Sequence, residues 1–280
     1  MLLQSLWRWA VKELIPSSTT PYLDVELLLA VCLGLTRTQL YTQSPSTEIL
    51  FAQQSVFKEL LRRRKRGEPV AYLIGEQEFW SLSLEVNPSV LIPRPETELL
   101  VQLLLENYTH KPRKIADLGT GSGAIALALA TERPAWQLLA TDYYRDALQL
   151  AERNRRRHDI KNVEWRQGDW CDAFQAGERF DVIVSNPPYL SKRDPHLHAE
   201  LGLTFEPKTA LIADKNGLKH LETIIRQSCQ YLLPGGQLFL EHGYDQAEFV
   251  HQFFVKYGYH SPQQHKDLAG HQRVSSGKWH

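Results

Sequence analysis

The stretch Ser-Asn-Pro-Pro-Tyr-Leu, residues 185–190, places polar groups and two consecutive prolines directly after a run typical of a buried strand. Proline lacks an amide hydrogen and fixes φ, so Pro187 and Pro188 should end that strand in a stiff, extended turn. The side-chain carbonyl of Asn186 and the backbone carbonyl of Pro187 could each accept one hydrogen of a planar NH2 group, on which Tyr189 could stack. The turn is therefore predicted to position an amide or aromatic amine without a metal or a strong base. The alternative is a turn that only ends a strand.

A glycine-rich loop, DLGTGSG at residues 117–123, connects a predicted strand to a predicted helix. Glycine tolerates positive φ and allows close backbone approach, so a ligand could lie against this loop and the helix N-terminus. The spacing of the glycines also satisfies a loose dinucleotide fingerprint, so the loop alone does not separate a nicotinamide from another adenosine cofactor. A glycine turn without a ligand is the other interpretation. The residues predicted to contact a cofactor here are Gly119, Thr120, Gly121, Ser122 and Gly123.

Asp142 ends the next predicted strand, in Ala140-Thr141-Asp142. A carboxylate at this place in a dinucleotide-binding fold accepts hydrogen bonds from ribose hydroxyls. The alternative is a helix N-cap for the segment that begins near Tyr144. Because the glycine loop, Asp142 and Asn186 each follow a strand, a parallel sheet would bring all three to one edge. The three loops together predict an adenosine-bearing cofactor beside a planar NH2 group.

Strands and helices alternate over the later part of the chain, and these elements must position the three loops. The pattern predicts strands at residues 114–118, 136–141, 163–166, 180–185 and 237–241, and helices at 124–131, 146–158, 218–232 and 246–257. Successive βα units favour a doubly wound, mostly parallel α/β sheet with helices on both faces. Ligands of such sheets lie at the carboxyl ends of the strands.

The first part of the chain is predicted to form a small helical domain, residues 1–67. Thr20-Pro21 should begin a helix that ends near Gly34, and Ser44-Pro45 should begin another that Gly67 ends. Five consecutive cations at residues 62–66 favour the negative end of a helix dipole, although contact with RNA or an acidic partner is an alternative. Residues 68–90 should form a linker with a β-hairpin, and residues 91–280 the α/β domain.

The composition limits the possible partners. The chain has 32 lysine and arginine residues and 32 aspartate and glutamate residues. Its formal net charge is therefore zero, which predicts no overall electrostatic attraction to nucleic acid or a membrane. Cys32, Cys171 and Cys229 are far apart, which fits reduced thiols better than disulfides or a zinc site. The N-terminus lacks the apolar region of a signal peptide, and no run of about 18 uncharged apolar residues is present. These features predict a cytoplasmic protein.

Several motifs resemble those of one enzyme family. DLGTGSG, Asp142 and NPPY together resemble an S-adenosylmethionine-dependent methyltransferase, which implies a Rossmann-like sheet of the seven-stranded type. LIPRPETE at residues 91–98, YLIGE at 72–76 and DLAGHQR at 267–273 are similar to segments of the HemK/PrmC family, the peptide chain release factor glutamine N5-methyltransferases. The resemblance covers essentially the whole chain, although residues 273–280 follow the family's ending only loosely.

The resemblance implies methyl transfer from S-adenosylmethionine to the glutamine of the Gly-Gly-Gln motif in class-1 release factors, in translation termination. We expect the helical domain to dock the protein substrate, because the catalytic sheet presents little surface for selecting one glutamine, and we expect a monomer. By the same resemblance, Trp170 would lie beside the adenine and Asn186 would also contact the cofactor. We assign no catalytic role to Arg94 and Glu96. An amino-methyltransferase acting on adenine N6 or cytosine N4 of nucleic acid is the alternative, which the neutral charge disfavours. The residues implied to bind the glutamine are Asn186, Pro187, Pro188 and Tyr189.

Overall fold

The computed structural model of the protein describes residues 1–199 and 201–280, which form two compact units. The first unit comprises Met1–Glu76 and Pro195–Phe205, and the second comprises Gln77–Asp194 and Glu206–His280. The sequence predicted a boundary at residue 67 followed by a linker over residues 68–90. In the structure that segment is not a linker, because it contains a helix of the first unit and a hairpin packed into the core of the second.

The elements are labelled here in chain order. The helices are α1 Leu3–Leu14, α2 Pro21–Leu33, α3 Arg37–Tyr41, α4 Phe51–Lys65, α5 Val70–Ile74, α6 Glu98–Asn107, α7 Ala124–Glu132, α8 Arg145–Arg157, α9 His196–Ala199, α10 Lys208–Leu211, α11 Lys219–Ser228 and α12 Ala247–Lys256. The strands are β1 Glu76–Phe79, β2 Leu82–Glu85, β3 Lys114–Leu118, β4 Gln137–Asp142, β5 Val163–Gln167, β6 Phe180–Ser185, β7 Leu232–Glu241, β8 His260–Lys266 and β9 Gln272–Lys278. Among the helices of the described ranges, none has the length and apolar character that crossing a bilayer requires.

Helices α1 to α5 pack around an apolar cluster in the first unit. Pro21 begins α2, and Gly34 ends it with a φ of 66°, as the sequence predicted. The predicted helix start at Ser44-Pro45 is wrong, because α4 begins only at Phe51. The intervening segment pairs with the N-terminus instead: the Leu3 amide donates to the Thr47 carbonyl at 2.9 Å. These backbone bonds to a distant segment hold residues 44–50 in a non-helical conformation.

The basic run at the end of α4 pairs with carboxylates inside the first unit. Arg64 donates to Asp24 at 2.6 Å, and both side chains are largely buried. The neighbouring pairs are Arg62 with Glu59, Arg63 with Glu68, and Lys65 with Glu13. Four of the five cations are therefore paired with carboxylates of the unit, although only the Arg64 pair is buried, which weakens the alternative that this run contacts RNA.

The second unit is built on a seven-stranded sheet in the order β5-β4-β3-β6-β7-β9-β8. The first five strands of that order are parallel, and β9 runs antiparallel to both β7 and β8. Apolar residues of α6 and α7 cover one face, and those of α11 and α12 cover the other. The predicted doubly wound α/β fold is confirmed, with β3 and β6 at the predicted positions.

The sequence missed the antiparallel edge of the sheet. It placed a helix up to residue 232, whereas α11 ends at Ser228 and β7 begins at Leu232. The backbone of this strand continues through Pro234-Gly235-Gly236, with a shift in register between Phe180 and Val182 on the neighbouring strand. Strands β8 and β9 carry many polar residues, so neither shows a clear apolar alternation, although only β8 lies at the edge of the sheet.

The predicted β-hairpin consists of β1 and β2 and packs into the larger core. Phe79, Leu82 and Leu84 belong to the same apolar cluster as the residues of α6 and α7. Asn154 of α8 accepts a hydrogen bond from the Glu85 amide at 2.6 Å. The hairpin thereby braces the helical layer beside the glycine loop.

Candidate active site

A cavity lies where three parallel strands of the second unit end. Leu118 of β3 pairs with Thr141 of β4 on one side and with Ser185 of β6 on the other. The loops that follow these strands are therefore neighbours, and they line a cavity of about 400 Å³. The predicted site residues in its lining are Gly119, Thr120, Gly121, Ser122, Asp142, Trp170, Asn186 and Pro188. Gly123, Pro187 and Tyr189 are not among the residues that line it.

The glycine loop presents its backbone to this cavity. Gly119, Gly121 and Gly123 have φ values of 71°, 57° and 85°, which L side chains rarely adopt. A Cβ on Gly119 would lie 3.0 Å from Trp170 Cζ3, whereas the space around Gly121 is open. A Cβ on Gly123 would instead meet Trp165 at 3.1 Å. Gly119 and Gly121 thus allow a ligand to approach, while Gly123 allows α7 to pack closely.

Asp142 both organises the loops and lines the cavity. Its Oδ2 accepts the Gly121 amide at 2.9 Å, and its Oδ1 accepts the Tyr144 amide at 2.9 Å. Burial raises the pKa of this carboxyl, and the backbone hydrogen bonds oppose the rise. Each carboxylate oxygen has a further lone pair, so the group can still accept hydrogen bonds from a ribose. The turn before α8 and the ligand contact are therefore compatible uses of one side chain.

Trp170 forms one wall of the cavity together with a histidine that the sequence did not indicate. Trp170 has a φ of 50°, an uncommon conformation for a bulky residue and one that clusters at functional sites. Its ring lies 5.3 Å from the His220 ring, centroid to centroid. Burial lowers the pKa of His220, which favours a neutral imidazole at this wall. The two rings are tilted by 52° to each other, and the Trp170 ring lies directly beside Gly119.

Asn186 is held by a residue from a distant segment. Its Nδ2 donates to Thr97 Oγ1 at 3.0 Å, across 89 positions of sequence. No hydrogen bond to Asn186 Oδ1 is present among the described residues, and Asn186 lines the cavity. The carbonyl end of the amide is therefore available to a ligand, as the predicted grip on an NH2 group requires.

Tyr189 differs from the prediction that it displays its ring to a substrate. The ring packs against the core of the second unit, and its hydroxyl donates to Glu241 Oε1 at 3.2 Å. The Tyr189 carbonyl accepts Gln246 Nε2 at 2.8 Å. An extended turn directs alternate side chains to opposite sides, so Pro188 faces the cavity and Tyr189 anchors the turn from behind.

Glu241 is a buried carboxyl at the end of β7 that sequence reasoning missed. It is only 1% exposed, and burial raises its pKa to about 7. The hydroxyls of Thr97 and Tyr189 and the charge of Arg273 oppose that rise. A single Glu at a strand end gives no sequence signal, because nothing in the linear pattern shows which hydroxyls it faces.

The segment around LIPRPETE also reaches the cavity. Arg94 lines it and forms an ion pair with Glu206, whose side chain is 2% exposed. Glu206 also accepts the Ile92 amide at 3.0 Å. This segment resembles the family in sequence, but its residues also fit the start of a helix. The local sequence therefore does not indicate that Thr97 and Arg94 belong to the site.

The loops that line the cavity fit an adenosine-bearing cofactor. Gly119 and Gly121 leave room that a side chain would fill, Asp142 supplies paired acceptors for ribose hydroxyls, and Trp170 offers a stacking surface. The sheet has seven strands, one of them antiparallel, and its cofactor cavity lies beside an Asn-Pro-Pro-Tyr turn. These features define an S-adenosylmethionine-dependent methyltransferase. The model of the methyltransferase small domain matches residues 95–211, and that of the PrmC N-terminal domain matches residues 5–75.

Curated relatives specify the family. The chain is 43% identical over 278 residues to a release factor glutamine methyltransferase from Aliivibrio fischeri, covering 99% of this chain and 97% of that protein. It is 45% identical over 264 residues to the enzyme of that name from Coxiella burnetii, covering 94% of each. A methyltransferase structure from Pyrococcus furiosus shares the fold, with a TM-score of 0.54, 20% identity, and coverage of 78% of this chain and 98% of that chain. The chain belongs to the release factor glutamine methyltransferase family, and its cofactor is S-adenosylmethionine.

We expect Asp142→Ala to weaken the binding of S-adenosylhomocysteine by about 1–3 kcal/mol, because the ribose loses its buried acceptors. Calorimetric titration measures this change. Asp146→Ala is the matched control, since Asp146 is an exposed carboxylate at the start of α8 and does not line the cavity. Equal dissociation constants for the two variants would remove Asp142 from the cofactor site.

Proposed function

We propose that this protein methylates the side-chain amide nitrogen, N5, of the glutamine in the Gly-Gly-Gln motif of class-1 peptide chain release factors. The observation that carries the proposal is the Asn186 amide, whose nitrogen is engaged by Thr97 while its carbonyl remains free at the cavity. The near full-length similarity to release factor glutamine methyltransferases supports a protein substrate over the nucleic-acid alternative.

The residues of the chain act mainly by positioning. The glycine loop, Asp142 and Trp170 would hold S-adenosylmethionine, which would supply an electrophilic methyl group to the amide nitrogen while the sulfur keeps the electrons of the broken bond. Asn186 Oδ1 would accept one N–H group of the glutamine at the cavity. The Pro187 carbonyl remains the proposed acceptor of the second N–H, although Pro187 is not among the lining residues. The two bonds would orient the nitrogen lone pair. As positive charge develops on that nitrogen, the same acceptors stabilise it, and one N–H proton then leaves to solvent.

The turn that carries these acceptors is braced on its inner side. Tyr189 contributes by its hydrogen bond to Glu241 and its core packing. We therefore assign Tyr189 to holding the turn in place of the stacking contact predicted from the sequence. Pro188, which lines the cavity, would contact the glutamine side chain.

Mass spectrometry of a purified release factor tests the proposed function. After incubation with the enzyme and S-adenosylmethionine, the tryptic peptide that contains Gly-Gly-Gln should gain the mass of one methylene group, and fragmentation should place it on the glutamine. A release factor with alanine in place of this glutamine should gain nothing. Methylation of DNA or RNA in a parallel incubation, with none on the release factor, would favour the alternative function.

We further propose that the first unit docks the release factor and that the enzyme acts as a cytoplasmic monomer. A groove of about 420 Å³ on this unit is lined by Trp7, Leu40 and Tyr41, and by Tyr22, which is 64% exposed. Exposed aromatic residues at a groove are typical of protein-binding surfaces. The family model that matches residues 5–75 supports a role for this unit shared with the relatives.

Tyr22→Ala is expected to raise the KM for intact release factor about tenfold, because one aromatic anchor typically contributes 1–2 kcal/mol to an interface. The KM for a short free peptide containing Gly-Gly-Gln should stay the same, since such a peptide offers only the residues that the cavity would bind. Phe51→Ala is the matched control, because Phe51 is exposed on the same unit and does not line the groove. An unchanged KM for release factor in Tyr22→Ala would exclude this groove as the docking surface.

A further inference from the structure

We propose that Thr97 is a positioning residue for methyl transfer, because its hydroxyl determines which end of the Asn186 amide faces the substrate. This inference rests on the proposed function and extends it to a residue outside the Asn-Pro-Pro-Tyr turn. It assigns a mechanistic role to the segment that precedes α6.

Thr97 is placed rigidly enough to serve this role. It is 4% exposed and ends the 3-10 turn Pro95–Thr97, in which its amide donates to the Arg94 carbonyl at 3.1 Å. Its β-branched side chain has few rotamers, so the hydroxyl oxygen has a fixed position. From that position it lies 3.0 Å from Asn186 Nδ2.

The chemical question is the direction of this hydrogen bond. An asparagine amide has a donor end and an acceptor end, and a threonine hydroxyl can satisfy either of them. If the hydroxyl donated to the Asn186 carbonyl, the Asn186 NH2 would face the NH2 of the substrate glutamine. Two donor groups would then oppose each other, and the developing positive charge would have no acceptor.

Glu241 supplies the asymmetry that selects one direction. Its carboxyl is buried, its Oε1 accepts the Tyr189 hydroxyl, and its Oε2 has no hydrogen-bond partner among the described residues. The Thr97 hydroxyl lies near enough to this carboxyl to oppose the rise in its pKa. In its ionised form, which dominates above the raised pKa of about 7, Glu241 only accepts hydrogen bonds, so its unsatisfied oxygen attracts the single hydroxyl proton of Thr97. The lone pairs of Thr97 then face Asn186, which must present its N–H to Thr97 and its carbonyl to the cavity.

Thr97→Val tests the inference because it keeps the shape of the side chain and removes the acceptor. We expect kcat for methylation of release factor to fall about tenfold, the consequence of losing one orienting hydrogen bond in a buried site. The KM for release factor and the dissociation constant of S-adenosylhomocysteine should stay within about twofold of wild type, since neither ligand loses a direct contact. Thr97→Ser, which retains the hydroxyl, should restore most of the rate.

Two further comparisons separate positioning from a structural effect. Thr131→Val is the matched control, because Thr131 donates only to the Leu127 carbonyl of its own helix and lies outside the cavity lining. In a double-mutant cycle, Thr97→Val should have no additional effect on kcat once Asn186 is replaced by alanine, because Thr97 acts through Asn186.

The results distinguish this inference from the proposed function. If the wild type is active and Thr97→Val keeps a kcat within twofold of it, the positioning role alone is overturned. The same holds if Thr97→Val lowers kcat as much in the Asn186→Ala background as in the wild type. A wild type that leaves the release factor glutamine unmethylated would overturn the proposed function itself, and with it the reaction that Thr97 is inferred to support.

Discussion

Asn186→Ala should reduce the rate of methyl transfer by about 10²–10³, because the substrate amide loses a preorganised acceptor that is most valuable as positive charge develops. The remaining residues of the turn keep their support, since Tyr189 is held by Glu241 and Gln246. The loss should therefore fall on the chemical step. Single-turnover methylation at saturating cofactor and release factor measures that step, because saturation removes the contribution of binding.

The matched control for this variant is Asn107→Ala. Asn107 donates to the Leu103 carbonyl at 2.8 Å near the end of α6 and does not line the cavity. It should keep the wild-type rate. If Asn186→Ala retained a rate within about threefold of wild type, the turn would only end a strand, and the proposed grip on the glutamine would be wrong.

We expect Gly217→Ala to disrupt the site, although Gly217 itself contacts no ligand. Gly217 has a φ of 87°, and a Cβ there would lie 2.0 Å from the Tyr189 backbone oxygen and 2.6 Å from Gln246 Nε2. The turn at residues 186–189 would have to move, and its hydrogen bond to Gln246 would break. Overpacking against backbone and the left-handed conformation should together cost about 2–4 kcal/mol of stability. Thermal unfolding and single-turnover kinetics would measure the two losses.

Gly177→Ala separates the clash from the backbone conformation. Gly177 belongs to the same unit and has a φ of 83°, but no heavy atom lies within 4 Å of the position its Cβ would take. It should lose only about 1 kcal/mol and keep its methylation rate. A Gly217→Ala variant that behaved like Gly177→Ala would show that the turn tolerates displacement, contrary to a mechanism that depends on its position.

The sequence predicted the parts of the fold that depend on local chemistry. Short apolar runs located β3 and β6, and the glycine loop and Asp142 stand out because they come directly after such strands. A parallel sheet orders its strand ends along one edge, so the amino-acid pattern alone predicts that three separate loops share a site. Local signals and a topological rule were sufficient for that step.

The missed features depend on contacts that no local pattern records. The partner of Asn186 is 89 positions away, and the inward direction of Tyr189 depends on a buried carboxylate at the end of β7. The predicted helix start at Ser44-Pro45 is wrong, because the carbonyls of Pro45 and Thr47 accept backbone hydrogen bonds from the N-terminal residues instead. Polar edge strands such as β8 do not show the apolar alternation on which strand prediction depends.

The position of β9 between β7 and β8 has a consequence for biosynthesis. β8 is made first but pairs with the sheet only through β9, so the edge of β7 stays open until Gln272–Lys278 has been synthesised. Glu241 lies on that edge, paired with Val274. A chain cut short by a premature stop codon before β9 would leave β7 with an unpaired edge and Glu241 without its neighbouring strand. Incomplete translation products should therefore aggregate and be degraded, and they would not persist as weakly active enzyme.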